Sequence, residues 1–231
     1  LAPPALQESY DNCGLLCGDS EANCTGVLCT LDVTEAIVEE AKQKNCNLIV
    51  AHHPIIFTGL KKITGSDYVQ RTILSAIKKD MAIYAIHTSL DNVSTGVNST
   101  IADKLELSNR RVLLPKSGTL SKLYTFVPLK QAEMVRNALF QAGGGSIGNY
   151  TECSFNVEGI GTYTAREGAS PFLGKVGTPH QEPEVKMEMV FPTYLKEVMV
   201  KALMASHPYE EVAYDLVALS NPHVEIGRAH V

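Results

Sequence analysis

The chain has 231 residues, of which 45% are hydrophobic and 19% are charged, and its formal net charge is −5. A chain of this length and apolar content can bury the core of one large domain or of two ordinary ones. The mild acidic balance argues against a nucleic-acid partner or a membrane surface, since either would require clustered Lys and Arg to neutralise phosphate. No stretch approaches the roughly 20 continuous apolar residues of a membrane span.

The first residues of the chain and its cysteines indicate the cellular compartment that we expect for the protein. The first residues contain no initiator Met and lack the basic start and apolar middle of a secretory signal, so we expect the true N-terminus to be missing. Six cysteines are present, and none forms the C-x2-C pair of a zinc site. We therefore expect reduced, packed cysteines in a cytoplasmic protein.

Strand-like and helix-like segments alternate between residues 26 and 115. Apolar runs predict strands at 26–31, 46–51, 81–87 and 111–115. Apolar residues at helical spacing predict helices at 32–45, 66–80 and 94–107. This alternation predicts the α/β class, with a parallel-rich sheet covered by helices.

For two of these helices, the spacing of the apolar residues also predicts which side chains form the buried stripe. The stripes are Val33, Ala36, Ile37 and Ala41 in the first helix, and Val69, Ile73, Ala76 and Ile77 in the second. Asp32 or Thr34 can cap the first helix, because a short polar side chain there accepts a hydrogen bond from a free backbone N–H group.

From about residue 119 the pattern changes to β-α-β-β-α-β, which predicts a ferredoxin-like α+β domain at 119–221. The preceding α/β domain then occupies 1–118, and 222–231 form a tail. At 207–211 the sequence HPYEE fits a loop that faces a ligand, and it fits a simple helix-to-strand turn equally well.

Chemically active side chains follow two neighbouring strands of the predicted parallel sheet. His52 and His53 follow one strand, and His87 and Asp91 follow the next. Ligands of such sheets collect beyond the carboxyl ends of the strands, so we expect both groups at the same edge. An ordinary histidine pair in an extended chain would point one ring inward and one outward, each bonded to a backbone carbonyl.

Three features favour a metal site over that ordinary pair. The histidines interrupt an apolar run, where an unpaired imidazole would cost about 1–3 kcal/mol. Pro54 restricts His53 to extended geometry, and Asp91 arrives at the same edge. Diverging imidazoles suit two ions about 3.5–4 Å apart, with Asp91 as a hard anionic ligand. The spacing between His87 and Asp91 does not decide the role of His87. It is either a residue that supports a metal ligand or an ordinary histidine at the end of a strand.

Four segments resemble one known family: YDNCGLLCGD (10–19), LDVT (31–34), AHHPIIFTGLKKITG (51–65) and AIHTSLDNVSTGVN (85–98). They are similar to the Nif-three-like dinuclear metal-centre hexamers, also called GTP cyclohydrolase I type 2 homologues. The resemblance covers 1–221, and the segment at 206–219 is similar to the PII-like or CutA-like insert of longer members.

The resemblance implies a fold, a ligand set and an assembly. It places His52, His53 and Asp91 at metal-ligand positions for two divalent ions, with Zn, Fe, Mn and Mg not distinguished. It implies a toroidal homohexamer whose metals face an internal cavity, with a small-molecule substrate. It also implies a partial α/β layer here, because longer members continue into a second α/β copy that adds a His and a Glu as ligands.

The last residues, EIGRAHV (225–231), match the translation of a common sequencing adapter. We therefore expect a fragment whose tail is partly a sequencing artefact, and we count neither His223 nor His230 as a ligand. With three expected donors for two ions, we expect strong metal binding only in the full-length parent.

Two functions remain open at this point. The first is a metal-dependent hydrolase of the GTP cyclohydrolase type, in which water activated between two metals attacks a nucleotide-like substrate. The second is a non-catalytic, metal-binding or regulatory hexameric scaffold with a PII-like sensing domain. No Walker-type glycine loop or guanine-reading motif is visible, so GTP comes from the resemblance alone.

Overall fold

The computed structural model describes residues 2–221, 223 and 226–230, with only the backbone described at 228–230. The chain divides into two compact units. The described residues up to Leu114, together with 226–230, form the first unit, and the second unit begins at Pro115. Each unit contains its own cluster of buried apolar side chains.

The first unit contains a four-stranded sheet made of β1 (Gly14–Cys17), β2 (Val27–Thr30), β3 (Leu48–Ala51) and β4 (Ala82–Ala85). The strand order is β1-β4-β3-β2. β2, β3 and β4 are parallel, as predicted from the apolar runs, whereas β1 is antiparallel to β4. β1 is not among the predicted strands, because its place in the sheet depends on pairing with β4, which lies far from it in the chain.

Helices α1 (Glu35–Gln43) and α2 (Tyr68–Lys78) connect the parallel strands. The hydroxyl of Thr34 caps α1 by accepting from the N–H group of Ile37 at 3.3 Å. The carboxylate of Asp67 caps α2 by accepting from the N–H group of Gln70 at 2.9 Å. Both caps satisfy backbone donors that the first helical turn leaves unpaired.

The buried faces of these helices differ in part from the predicted stripes. Ala41, Ile73 and Ala76 are buried as predicted. Val38 is buried in place of Ala36, which is exposed. The prediction that Ile77 is a core residue is also wrong, because 49% of Ile77 is exposed.

Short elements follow β4. They are α3 (Thr88–Asp91), α4 (Val97–Lys104) and β5 (Val112–Pro115). The helix predicted at 94–107 is therefore present as α4. The strand predicted at 111–115 is present as β5, but it lies outside the four-stranded sheet.

The second unit has the element order β-α-β-β-α-β. Its elements are β6 (Leu120–Pro128), α5 (Ala132–Gln141), β7 (Phe155–Thr164), β8 (Pro179–Pro192), α6 (Lys196–Ser206) and β9 (Tyr214–Ala218). The sheet order is β7-β8-β6-β9, and neighbouring strands are antiparallel.

Helices α2 and α6 have 11 residues each. No helix in the described part of the chain is long and apolar enough to cross a membrane.

The two faces of the second sheet differ in what covers them. Along β6, Leu123 and Val127 are buried in one apolar cluster with Val135 of α5 and Met199 of α6. Side chains alternate along a strand, so Phe126 lies on the opposite face. That opposite face is the one that carries a cavity.

The last described strand, β10 (Gly227–His230), pairs with β5 in a two-stranded sheet. The N–H group of Gly227 donates to the carbonyl of Asn92 at 2.8 Å. The predicted tail at 222–231 therefore includes a strand, while positions 222, 224, 225 and 231 lie outside the described residues. The adapter origin of these residues stays a prediction.

Candidate metal centre

Strands β3 and β4 end side by side, and the histidines that follow them meet at one edge of the sheet. Ala51 of β3 is paired with Ala85 of β4. His52 comes directly after Ala51, and His87 comes two positions after Ala85. The carboxyl ends of parallel strands therefore deliver both histidines to the same place, where α/β sheets form ligand sites.

The imidazoles of His52, His53 and His87 form a compact group. One nitrogen of each ring lies within 4.8 Å of one nitrogen of each other ring. The ring centroids are 5.0 Å apart for His52 and His53, 5.2 Å for His52 and His87, and 5.6 Å for His53 and His87. Among the described residues these three form a group of donors that could hold a metal ion.

Asp32 supports the imidazole of His53. The N–H group of His53 donates to the carbonyl of Leu31 at 2.9 Å, so the chain after β3 continues beside the end of β2. This pairing brings Oδ1 of Asp32 to 2.8 Å from Nδ1 of His53. Nδ1 donates to the carboxylate, which leaves Nε2 as the nitrogen with a lone pair.

Asp11 supports His87 in the same way but from a buried position. Its Oδ1 lies 2.9 Å from Nδ1 of His87, and its side chain is fully buried. The other oxygen accepts from the N–H group of Thr88 at 3.0 Å, from the hydroxyl of Thr88 and from the thiol of Cys13 at 3.1 Å. Burial by itself would raise the pKa of Asp11, but the hydrogen bonds from Thr88, His87 and Cys13 outweigh it and lower the pKa.

The surroundings of His52 favour its neutral form. Burial lowers its pKa; the carboxylate of Asp91 opposes this effect, and the imidazoles of His53 and His87 add to it. A hydrogen bond with the backbone of Ile86 also raises the pKa. The net shift is downward, and the neutral imidazole is the form that binds a metal.

Asp91 is the last residue of α3 and is partly buried. It lies close enough to act electrostatically on His52, but it is not in the group of three imidazoles that the described residues form. Its carbonyl accepts from Nδ2 of Asn98 at 2.8 Å, which ties the end of α3 to α4. The role of Asp91 as a ligand stays a prediction, as do the ligand roles of His52 and His53.

Sequence reasoning left three residues of this site unassigned. His87 stands after a strand as His52 does, which is a signal for the same edge. Asp32 was one of two possible helix caps, and its neighbour Thr34 takes that role. Asp11 is distant in sequence and no spacing points to it. Of the two histidines set aside, His223 is described in the second unit, where its N–H group bonds to Thr119 at 3.3 Å, and the side chain of His230 lies outside the described residues.

The donor set fits a divalent transition metal. Imidazole nitrogens suit Zn, Cu, Fe and Ni, and three histidines leave a coordination position open for water or substrate. The carboxylate behind a ligating histidine sets its tautomer and raises its basicity. Two of the three rings have such a carboxylate, and the third is bonded to the backbone.

The fold and the site define an α/β protein with a candidate three-histidine metal centre. The model of the family Duf34/NIF3 (NGG1p interacting factor 3) matches residues 1–207, and the chain belongs to this family. The family resemblance predicted from the sequence motifs is thereby confirmed.

Curated relatives carry one shared description. The chain is 42% identical to a "GTP cyclohydrolase 1 type 2 homolog" of Bacillus subtilis over 232 residues, which cover 100% of this chain and 62% of that protein. It is 35% identical to a protein of the same description from Mycobacterium tuberculosis, over 99% of this chain and 60% of that protein. The chain thus spans less than two thirds of the length of these relatives.

Solved structures agree with the fold. A Bacillus cereus protein described as related to NIF3 matches with a TM-score of 0.80 and 42% identity, over 97% of this chain and 60% of that one. The Staphylococcus aureus protein SA1388 matches with a TM-score of 0.63 and 28% identity, over 99% of this chain and 59% of that one. Both comparisons extend over nearly the whole chain, including both units.

Proposed function

We propose that this protein binds divalent metal in a dinuclear centre and acts as a metal-dependent hydrolase of the GTP cyclohydrolase 1 type 2 homologue kind. The observation that carries the proposal is the convergence of three imidazoles whose nitrogens lie within 4.8 Å of one another. The imidazoles of His53 and His87 disfavour a positive charge on His52, whereas a metal ion binds the lone pairs of neutral rings.

The ligand assignment proposed here is His52, His53 and Asp91, to which the geometry adds His87 as a fourth candidate. Adjacent histidines can each serve a different ion, and a carboxylate next to His52 supplies the anionic charge that a pair of dications needs. Metal ions, when bound, supply Lewis acidity that polarises a substrate oxygen and acidifies water.

The chain's own residues have definable tasks in this function. Asp11 and Asp32 hold Nδ1 of His87 and His53, so both rings present Nε2 to the centre. The buried Asp11 stays charged, because its hydrogen bonds keep its pKa low. It therefore gives His87 a fixed orientation and a permanent negative partner.

GTP is the proposed substrate only through the description of the relatives. A small-molecule substrate is consistent with a site at the carboxyl edge of a parallel sheet, where such ligands collect. The non-catalytic scaffold of the same family is the alternative outcome of the experiment described below.

We further propose that the second unit is a ferredoxin-like domain of the PII or CutA kind, that the protein assembles as a homohexamer, and that it works in the cytoplasm. The β-α-β-β-α-β order and the sheet order β7-β8-β6-β9 support the first of these. The hexamer and the compartment rest on the family resemblance.

The test uses the intact gene product, loaded in turn with Zn²⁺, Mn²⁺, Fe²⁺ and Mg²⁺. Bound metal is measured by elemental analysis, and GTP turnover is followed by chromatography. His53→Ala, His87→Ala and Asp91→Ala should lose metal and turnover together, whereas His180→Ala, a histidine of the second unit, should lose neither. Metal loss without any turnover in the unaltered protein would establish the scaffold, and unaltered metal content in all three variants would refute the metal centre.

A further inference from the structure

The second unit contains a cavity of about 710 Å³ on the face of its sheet opposite α5 and α6. It lies between β7 and the segment 165–172, and residues 209–213 close one side. The volume falls in the range of about 300–1,000 Å³ that is typical of small-molecule sites. All lining residues belong to the second unit.

A buried carboxylate lies at the wall of this cavity. Glu184 of β8 is 7% exposed, and its Oε1 accepts from the hydroxyl of Tyr209 at 2.7 Å. A buried carboxylate is costly unless a cation or several hydrogen bonds offset the lost water. Tyr209 supplies one neutral donor, so most of that requirement is left for another group.

The nearest cation of the lining is engaged elsewhere. Nζ of Lys186, two positions along β8, lies 3.5 Å from Glu188 and 4.7 Å from the ring centroid of Tyr124. Among the described residues no Lys or Arg forms an ion pair with Glu184. The carboxylate therefore borders the cavity without a cationic partner from the described part of the chain.

Two glycines of β7 shape the space around this carboxylate. A Cβ atom at Gly161 would lie 2.1 Å from Oε2 of Glu184, so glycine at this position is what lets the carboxylate pack against the strand. A Cβ atom at Gly159 would meet nothing within 4 Å. Gly159 pairs directly with Glu184 across the strands, so the open space lies beside the carboxylate.

Aromatic rings line the same space. The rings of Tyr163 and Tyr209 are 6.1 Å apart with an interplanar angle of 66°, and Phe172 is 6.4 Å from Tyr209. The hydroxyl of Tyr163 donates to the carbonyl of Leu173 at 2.8 Å, which anchors the loop over the cavity. Aromatic faces attract cations by about 0.5–2 kcal/mol, most strongly where water is excluded.

The rim adds negative charge. Glu158, Glu210 and Glu211 line the cavity and are exposed. Glu210 also accepts from the N–H group of Ser170 at 2.8 Å, which holds the loop to residues 209–213. With Glu184, four carboxylates line the cavity against the single ammonium of Lys186, so its potential favours cations.

We propose that this cavity binds a small organic ammonium ion. The ammonium group pairs with Glu184 between the rings of Tyr163 and Tyr209, and an apolar body packs against Phe126 and Phe172. A neutral ligand would leave the buried carboxylate uncompensated, and an anion would be repelled by all four carboxylates.

The test is a calorimetric titration of the intact protein at pH 7.5 with phenethylammonium chloride. Neutral 2-phenylethanol and anionic 3-phenylpropionate serve as matched ligands of similar shape. We expect saturable binding of one ammonium ion per chain, at least tenfold weaker binding of the alcohol, and no binding of the carboxylate. Equal binding of the alcohol, or no saturable binding of the ammonium ion, would overturn the proposal.

Variants locate the site. Glu184→Gln should weaken ammonium binding at least tenfold, and Gly159→Leu should abolish it by filling the space beside an intact Glu184. Glu133→Gln removes an exposed carboxylate of α5 and should leave binding unchanged. Thermal unfolding verifies that each variant is folded. If Glu184→Gln does not fold, Gly159→Leu tests the location of the ammonium site on its own.

Two results would contradict this placement. Binding that survives Gly159→Leu would place the ammonium ion elsewhere. A change in sedimentation caused by Gly159→Leu, in a protein that never binds the ammonium ion, would mean that a second copy of the chain covers the cavity, and the proposal would be withdrawn.

Discussion

His87 and Asp11 lie 76 positions apart in the sequence, yet Nδ1 of His87 is 2.9 Å from Oδ1 of Asp11. The carboxylate is fully buried and also receives two hydrogen bonds from Thr88, the residue next to His87. One side chain from the start of the chain therefore fixes both the ring and the backbone at the end of β4. This arrangement makes His87 part of the candidate metal centre.

Asp11→Asn should weaken metal binding about 10–100-fold, the usual loss when the partner of a ligating histidine is removed. The amide keeps the size of the side chain but loses the negative charge. Its NH₂ group, itself a donor, could not accept the hydrogen bonds that the carboxylate now receives from Thr88 and Cys13. Chelator competition measures the affinity. Asp19→Asn, whose carboxylate bonds locally to the N–H group of Glu21, is the control, and equal affinities of the two variants would contradict the role of Asp11.

Asp32→Asn should have a smaller effect, less than about tenfold, on the same affinity. The side chains of Asp32 and His53 are 64% and 46% exposed, so water can replace the lost acceptor and screens the interaction. The ranking of the two variants is the informative quantity. A larger loss for Asp32→Asn than for Asp11→Asn would show that burial does not determine which carboxylate matters.

His207 should make the second unit less stable in mild acid. Its Nε2–H group donates to the carbonyl of Phe126 at 3.0 Å, and its Nδ1 accepts from the N–H group of Tyr209 at 3.1 Å, so the neutral ring is satisfied on both sides. Burial lowers its pKa, whereas the hydrogen bond that the ring donates to the carbonyl of Phe126 and the charge of Glu184 oppose this effect. The net pKa lies below the ordinary 6.5.

The direction in which stability changes with pH follows from the lowered pKa of His207. As the pH falls below about 6.5, the unfolded chain takes up the proton first, so the free energy of unfolding decreases until the folded pKa is passed. Urea unfolding of the original protein and of His207→Gln at pH 7.5 and 5.5 measures this, because glutamine does not titrate. The stability advantage of the histidine should be smaller at pH 5.5, and an advantage that is the same at both values would contradict the prediction.

Gly96→Ala should destabilise the first unit by about 1–3 kcal/mol. A Cβ atom at position 96 would lie 1.8 Å from the carbonyl oxygen of Leu90, the residue before Asp91. The backbone of α3 would have to move, and Asp91 with it. Gly59→Ala, where a Cβ atom meets nothing within 4 Å, is the matched control, and similar unfolding midpoints for the two variants would disprove the close approach.

Ile73 and Ile77 lie one turn apart on α2, and truncation should destabilise the protein strongly at Ile73 and hardly at all at Ile77. Ile73→Ala should cost about 2–5 kcal/mol in unfolding free energy, since Ile73 is 2% exposed. Ile77→Ala should change it by less than about 0.5 kcal/mol, since Ile77 is 49% exposed. Denaturant titration of both variants checks this, and equal losses would mean that a partner covers Ile77.

Local pattern was enough to predict β2, β3, β4 and the helices between them, because apolar periodicity and capping residues act over a few positions. It was not enough to choose between Val38 and Ala36, or to exclude Ile77, because the angle at which a helix meets the sheet decides its buried face. The same limit applies to β1, whose pairing with β4 depends on residues far apart in the chain.

By itself, the sequence determined that His52, His53 and His87 stand at the carboxyl ends of neighbouring strands, and its motifs determined the family. Only the tertiary structure decided which partner each ring has. Asp32 could have capped a helix, and Asp11 lies in a family segment in which no spacing pointed to a role for it. A hydrogen bond between distant residues depends on how the chain folds back on itself, and spacing in the sequence carries no record of that distance.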